Sequence, residues 1–182
     1  MNNSNYKIAT LAGGCFWCTE AVFERVEGVQ SVIPGFTGGT IKNPAYREII
    51  TGRTGHAEAI EIHFNPEKIS YNELLLIFFS THDPTTLNRQ QYDVGTQYRS
   101  AIFYHSENQK QIALELIAKL ENEKVFEDAI VTEVKEGGPF YIAEPEHKEY
   151  YSNNPDQRYC QIIIDPKIKK LKQLFTDKLK KG

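Results

Sequence analysis

From Ala57 to Phe64 the chain alternates with a period of two. Ala57, Ala59, Glu61 and His63 fall on one side, and Glu58, Ile60, Ile62 and Phe64 on the other. That is the pattern of a strand with one face on a core. Glu58 shares the apolar side, an unusual place for a carboxyl group. Tyr6 to Leu11 reads as a buried strand, and Val29 to Phe36 as a second, interrupted at Pro34. Further strands are expected at Tyr98 to Tyr104, Ala129 to Val134 and Tyr159 to Ile164. The helical period predicts a first helix from Cys15 to about Glu27, with Ala21, Val22 and Val26 as its stripe and Gly28 as its stop. Ser70 with Glu73 forms a capping box ahead of Leu74, Ile77 and Phe78. Ser106 with Gln109 opens another helix, running through Ile112, Leu116 and Leu120 to about Asn122. Thr81 to Gln97 reads as a long polar and aromatic loop, and Glu146 to Tyr151 as one or two helical turns. Pro166 suits the first position of a last helix, about residues 167–181, whose seam is Ile168, Leu171, Leu174, Phe175 and Leu179.

Strands and helices therefore mix along the chain instead of segregating. The expected class is α/β (α+β), a small mixed β-sheet covered by helices, with loops carrying the site. No internal repeat or low-complexity linker divides the 182 residues. A single domain over 1–182 follows, with its core at about 6–166 and the basic amphipathic helix appended.

Composition narrows the function. Formal net charge is −3, so no basic surplus invites nucleic acid. The stretch Met1 to Asn5 is polar and leads into no apolar export segment, and the longest apolar run, Leu74 to Phe79, is too short for a bilayer. A cytoplasmic chain is expected, monomeric and without stable membrane association. Seven lysines lie between Lys167 and Lys181. They read as a solvated helix face, with a membrane or nucleic-acid surface as the alternative.

There are three cysteines, an odd number that fits poorly with a static disulfide framework. Two stand in Gly14-Cys15-Phe16-Trp17-Cys18, after a Gly pair and at a helix start. A helix N-terminus offers free N–H groups and a positive dipole end, both of which favour thiolate. Cys15 is the better nucleophile candidate, and Cys18 is close enough to pair with it. Phe16 and Trp17 form either a core pair or the wall of a pocket for a small apolar group such as a methyl thioether. Desolvation on its strand face favours protonated Glu58, which suits it to donate a proton; His56 and His82 are rival acids. Tyr46 and the run Tyr92 to Arg99, with Asp93, supply groups able to hold a polar oxygen or a water. Two other readings stay open: a thioredoxin-like dithiol exchanger using Cys15 and Cys18, and a structural zinc module built from Cys15, Cys18, Cys160 and one histidine.

Four stretches are shared with a known family: Gly14-Cys15-Phe16-Trp17, Thr54-Gly55-His56-Ala57-Glu58, His82-Asp83-Pro84-Thr85 and Gly95-Thr96-Gln97-Tyr98-Arg99-Ser100. From about Tyr6 to Pro166 the chain resembles the methionine sulfoxide reductase A family. The resemblance implies a two-layer sandwich around a mixed sheet with long coil segments and a ferredoxin-like core. It implies reduction of methionine-S-sulfoxide, free or in proteins, with no cofactor and no metal. Cys15 corresponds to the nucleophile, Glu58 to the acid, and Phe16 and Trp17 to the methyl pocket. Tyr46, Asp93 and Tyr98 correspond to the residues that bind the oxygen and a water. Tyr159-Cys160 resembles the segment carrying the recycling cysteine, whose disulfide thioredoxin or a similar dithiol reductant reopens. Cys18 stands where many relatives carry glycine, which opens two resolving routes; Cys160 is expected first, because a Cys15–Cys18 bond would form within a rigid helix turn.

Overall fold

The computed structural model describes residues 6–181. The polar leader Met1 to Asn5, read as lacking an export signal, and Gly182 lie outside the described residues.

The centre of the sheet is a split β-α-β-β-α-β unit. Strand β1 (Lys7–Gly13) leads into helix α1 (Phe16–Phe23), which returns as β2 (Val29–Thr37). Strand β3 (Ala57–Phe64) lies between them, antiparallel to both. Helix α3 (Tyr71–Thr81) then crosses to β6 (Ser100–Tyr104), which pairs with the free edge of β1. The order β6-β1-β3-β2 is that of a ferredoxin-like fold. Helix α4 (Glu107–Asn122) carries the chain over to β7 (Glu133–Glu136), parallel to β6. Strand β8 (Phe140–Ile142) closes the other edge against β2.

The strand predicted over 57–64 is observed at those bounds, and its two faces differ as the alternation requires. Ile60, Ile62 and Phe64 join the large core, together with Leu11, Phe36 and Ile102 of the sheet and Phe16, Val22, Leu74, Phe78, Leu116 and Leu171 of the helices. Behind the sheet, Ala12, Ala57, Ala59, Ala101 and Phe103 form a smaller cluster covered by Phe140. Helices thus pack on one face and coil on the other, giving the expected two layers. The Ser70–Glu73 capping box forms in both directions, with hydrogen bonds of 3.0 and 3.1 Å. Ser106 caps α4 one way only: the Gln109 side chain accepts from the His105 N–H and donates to the Ile8 carbonyl.

Several boundaries differ from expectation. Helix α1 ends at Phe23 rather than near Glu27, and Val26 instead forms a bridge with Leu179. Pro34 does not interrupt β2. Its carbonyl accepts from Ala143, so its ring nitrogen faces the short edge strand and no bond to β3 is lost. Residues 129–134 are mostly coil, and the edge strand starts at Glu133. The expected loop 81–97 contains a small hairpin, β4 (Arg89–Gln90) with β5 (Asp93–Val94), followed by a 3₁₀ turn, Thr96–Tyr98. Glu146 to Tyr151 resolves into a 3₁₀ turn, Pro145–His147, and helix α5 (Tyr150–Asn153). The strand expected over Tyr159 to Ile164 is instead a π-helical turn, Cys160–Ile164, running directly into α6 (Asp165–Leu174). Three successive isoleucines look like a strand, yet a buried helical turn takes them equally well. Helix α6 buries Ile168 and Leu171 but leaves Leu174 exposed. The chain then turns through Thr176–Lys178, so the basic segment is not one helix to 181. No helix among the described residues is long and apolar enough to cross a membrane.

Candidate active site

The turn between β1 and α1 places the thiol. Gly14 takes φ +91°, and a Cβ there would stand 2.6 Å from the Gln90 side chain, so only glycine lets the chain pass under the hairpin. Cys15 follows as the N-cap of α1 in an extended conformation, outside the helix proper. It is 6% exposed, Cys18 is 3% and Cys160 is fully buried; all three are free thiols.

Glu58 reaches the same helix end from β3. Its Oε1 accepts the Phe16 N–H at 3.1 Å, taking up one of the free amides of the first turn. Its Oε2 is buried with no hydrogen-bond partner among the described residues. Burial pushes the carboxyl up to about 8, against the Phe16 hydrogen bond and with help from Asp93. At neutral pH it is an acid holding its proton.

The thiols divide differently from expectation. Burial pushes Cys15 well above its ordinary value, and a hydrogen bond to Cys18 and the Glu58 charge act in the same direction. The Trp17 N–H does favour its thiolate, but burial outweighs that helix-end effect. Cys18 is held below its ordinary value by the Cys15 hydrogen bond, against burial, with the Lys167 ammonium and the Tyr159 hydroxyl adding to the effect. Cys160 is pushed up by burial and by the neighbouring Cys18.

Aromatic groups surround this centre. The Phe16 ring lies 5.5 Å from Phe36 and 6.4 Å from Tyr46. Trp17 stacks on Tyr150 at 3.8 Å with an interplanar angle of 9°. Tyr46 opens helix α2 (Tyr46–Ile49), and Tyr98 closes the 3₁₀ turn after the hairpin. Burial raises both phenols, with Glu58 and Asp93 contributing to each. Asp93 accepts the Tyr159 hydroxyl at 2.7 Å, and that hydroxyl oxygen also lies 3.5 Å from the Cys18 sulfur. Glu58 is thus held at the start of α1, with Tyr46 beside Phe16 and Asp93 linked to Cys18 through Tyr159.

The rival acids are otherwise engaged. His56 donates from Nε2 to the Ile41 carbonyl and accepts the Gly39 N–H at Nδ1. His82 donates to the Phe78 carbonyl and accepts from Ser100, and burial holds it at about 3, neutral. Among the described residues no group of three His, Cys, Asp or Glu is placed to hold a metal ion.

Three residues were missed. His147 accepts the Trp17 indole N–H at 3.1 Å, and its ring lies 4.4 Å from Tyr46. Glu144 accepts the Tyr46 N–H at 2.8 Å. Glu20, buried inside α1, accepts the Glu149 N–H at 2.9 Å and meets the Lys148 ammonium at 3.4 Å; burial pushes it up to about 7. The spacing Glu144, His147, Tyr150 was the available signal for the first two. For Glu20 it was an acid directly before Ala21-Val22-Phe23.

Residues 7–179 match the family described as peptide methionine sulfoxide reductase. The chain belongs to that family. The peptide methionine sulfoxide reductase MsrA of Deinococcus radiodurans is 54% identical over 172 residues, covering 94% of this chain and 84% of the relative. Reduced Mxr1 from Saccharomyces cerevisiae superposes with a TM-score of 0.79 at 31% identity, over 87% of this chain and 91% of that one. Mxr1 in complex with Trx2 has a TM-score of 0.56 at 24% identity, over 82% and 87%. In this reductase fold the cysteine turn, the β3 glutamate and the aromatic set converge on one small space.

Proposed function

We propose that the chain reduces methionine-S-sulfoxide, free or in proteins, at Cys15. One observation carries this reading. A carboxyl that keeps its proton at neutral pH is fixed by the Phe16 amide beside Cys15, with its second oxygen unpartnered. Sulfoxide reduction needs that pair, a sulfur nucleophile and a proton source for the departing oxygen. Phe16 and Trp17 take the methyl group, and Tyr46, Tyr98 and Asp93 hold the oxygen or a water. Two electrons pass from the Cys15 sulfur to the sulfoxide sulfur, whose S–O bond breaks. Glu58 gives its proton to the oxygen, which passes as a hydroxyl to the Cys15 sulfur, so an S–O bond forms on the enzyme as the substrate's breaks; the nucleophile is the thiolate, its own proton already lost to solvent. Methionine leaves, and Cys15 is left as a sulfenic acid.

A second thiol then condenses with it and releases water. The expectation of Cys160 first rests on placing a Cys15–Cys18 bond within a rigid helix turn. Cys15, however, stands outside the helix as its N-cap, and its carbonyl accepts the Cys18 N–H at 3.0 Å. This supports Cys18 as first acceptor, with Cys160 next to it as the second. A dithiol protein reopens the disulfide by exchange. Thioredoxin is the candidate, and the Mxr1–Trx2 complex on the same fold makes it the one to try first.

The test is turnover of separated methionine sulfoxide epimers with thioredoxin or dithiothreitol as donor. Wild type is expected to consume the S epimer and spare the R, and Cys15→Ser to consume neither. Equal turnover by both proteins would overturn the reading.

A further inference from the structure

The hairpin of β4 and β5 has two unlike sides. Gln90 pairs with Asp93, and Arg89 with Val94. Successive residues of a strand point to opposite faces, so the first pair faces one way and the second the other. The inner pair meets the reactive centre. The Gln90 side chain fills the space beside Gly14. It also grips the Asp83 backbone, accepting from its N–H at 2.7 Å and donating to its carbonyl at 2.8 Å. Asp93 accepts the Tyr159 hydroxyl, whose oxygen lies 3.5 Å from the Cys18 sulfur and whose ring meets Trp17 edge-on at 5.8 Å. The outer side is open and apolar. Val94 is 65% exposed, Tyr92 at the tip 83%, and Leu87 ahead of β4 72%. Of the run Tyr92 to Val94, Asp93 alone therefore faces the centre. Scattered apolar residues on a surface are ordinary. Three within the eight positions from Leu87 to Val94, on a hairpin already anchored by Gln90, are not explained by packing. The exposed Ile50 continues this surface. Its carbonyl accepts the Gln97 side-chain amide at 3.3 Å, which sets it beside the 3₁₀ turn that carries Tyr98.

We propose that this surface docks the polypeptide that carries the sulfoxide, and that it favours apolar residues on either side of the oxidised methionine. The occupant follows from the position. The family reduces methionine sulfoxide within peptides, and Asp93 is one of the groups assigned above to its oxygen. The Cα atoms of Tyr92 and Val94 each stand about 3.8 Å from that of Asp93. Substrate residues one or two positions from the sulfoxide lie roughly 3.5–7 Å along an extended chain. A peptide leaving the centre past Asp93 therefore meets the outer hairpin first. Free methionine sulfoxide has no flanking residues and makes no use of it. An apolar contact made equally before and during the reaction lowers KM and leaves the chemical step unchanged.

This inference rests on the sulfoxide reduction proposed above, and the experiment keeps the two apart. Three substrates are compared with dithiothreitol as donor: free methionine-S-sulfoxide, a pentapeptide holding it between leucines, and the same peptide with serines in their place. Wild type is expected to show a kcat/KM about tenfold higher for the leucine peptide, carried by KM. In Leu87→Ser/Tyr92→Ser/Val94→Ser that preference should fall to about twofold or less. Leu87→Ser alone should lose part of it while consuming the free sulfoxide at the wild-type rate, and Leu87→Met should keep it. Equal kcat/KM for the two peptides in wild type, or the full preference surviving in the triple variant, overturns the proposal. So does an unchanged preference accompanied by a raised KM for thioredoxin, which would make the reductant the occupant. Free sulfoxide left untouched by the wild type would instead overturn the underlying reading. If the triple variant does not fold, Leu87→Ser carries the test. Its turnover of the free sulfoxide certifies its fold, and an unaltered peptide preference there overturns the proposal.

Discussion

At the scale of single residues, Glu58 and Cys15 form a pair with two protons to lose. The acid titrates at about 8 and the thiol is pushed above its ordinary value. The reactive form, with Glu58 protonated and Cys15 ionised, holds one proton. First-turnover reduction is therefore expected to rise as pH climbs through about 8 and to fall again as the second proton leaves. Glu58→Gln keeps the Phe16 hydrogen bond but has no proton to give. Reduction should slow by roughly 10²–10⁴-fold, and the alkaline descent should vanish. A variant that forms its sulfenic acid at the wild-type rate would remove Glu58 from the acid's role. This pair was legible in the sequence because a carboxyl on an apolar strand face and a cysteine after two glycines are both hard to explain as packing. Glu20 was not legible. An acid within a helix ordinarily marks the solvent face, and only the contact with Lys148 and Glu149 shows that it lies inside.

At the scale of elements, the β1–α1 turn and the segment after β8 hold the site from two sides. Gly14→Ala would place a Cβ at φ +91° against Gln90. A left-handed alanine costs about 1–2 kcal/mol, so a lower melting temperature is expected, with a fall in kcat as Cys15 is displaced. An unchanged kcat would mean that the turn tolerates more movement than its contacts suggest. Glu20 ties α1 to Lys148 and Glu149, next to the His147 and Tyr150 that pack on Trp17. Its folded pKa, about 7, lies above its ordinary value of 4.5. Its contribution to stability is therefore greatest below pH 4.5 and is lost as pH rises towards 7. Glu20→Gln cannot ionise, so thermal unfolding should show a flatter decline over that range than the wild type. An identical pH profile in both proteins would place the Glu20 titration elsewhere. Of the elements themselves, β3, α3 and α4 were readable because one buried face or a side-chain cap sets their bounds. The π-helical turn at Cys160–Ile164 was not, because a short apolar run fits a strand or a buried helix alike. The edge strands β7 and β8 were missed or displaced because they are short and largely outside the core, which leaves little alternation to read.

At the scale of the whole molecule, a ferredoxin-like sheet carries one reactive centre where β1 ends and α1 begins, and the π-helical turn leading into α6 returns late in the chain to pack its Cys160 segment on α1. The sequence could not show that return, because a distance of more than a hundred residues is bridged only by packing. The most direct test counts products in one turnover of the intact protein. Reduced wild type, freed of reductant, is given excess methionine-S-sulfoxide; released methionine is counted, and the cysteine peptides are mapped without reduction. The account predicts at least one methionine per chain, an equal loss of free Cys15 with Cys15 recovered in a disulfide, and no methionine from Cys15→Ser. Methionine released while the Cys15 peptide remains a free thiol, or an equal yield from Cys15→Ser, would contradict it.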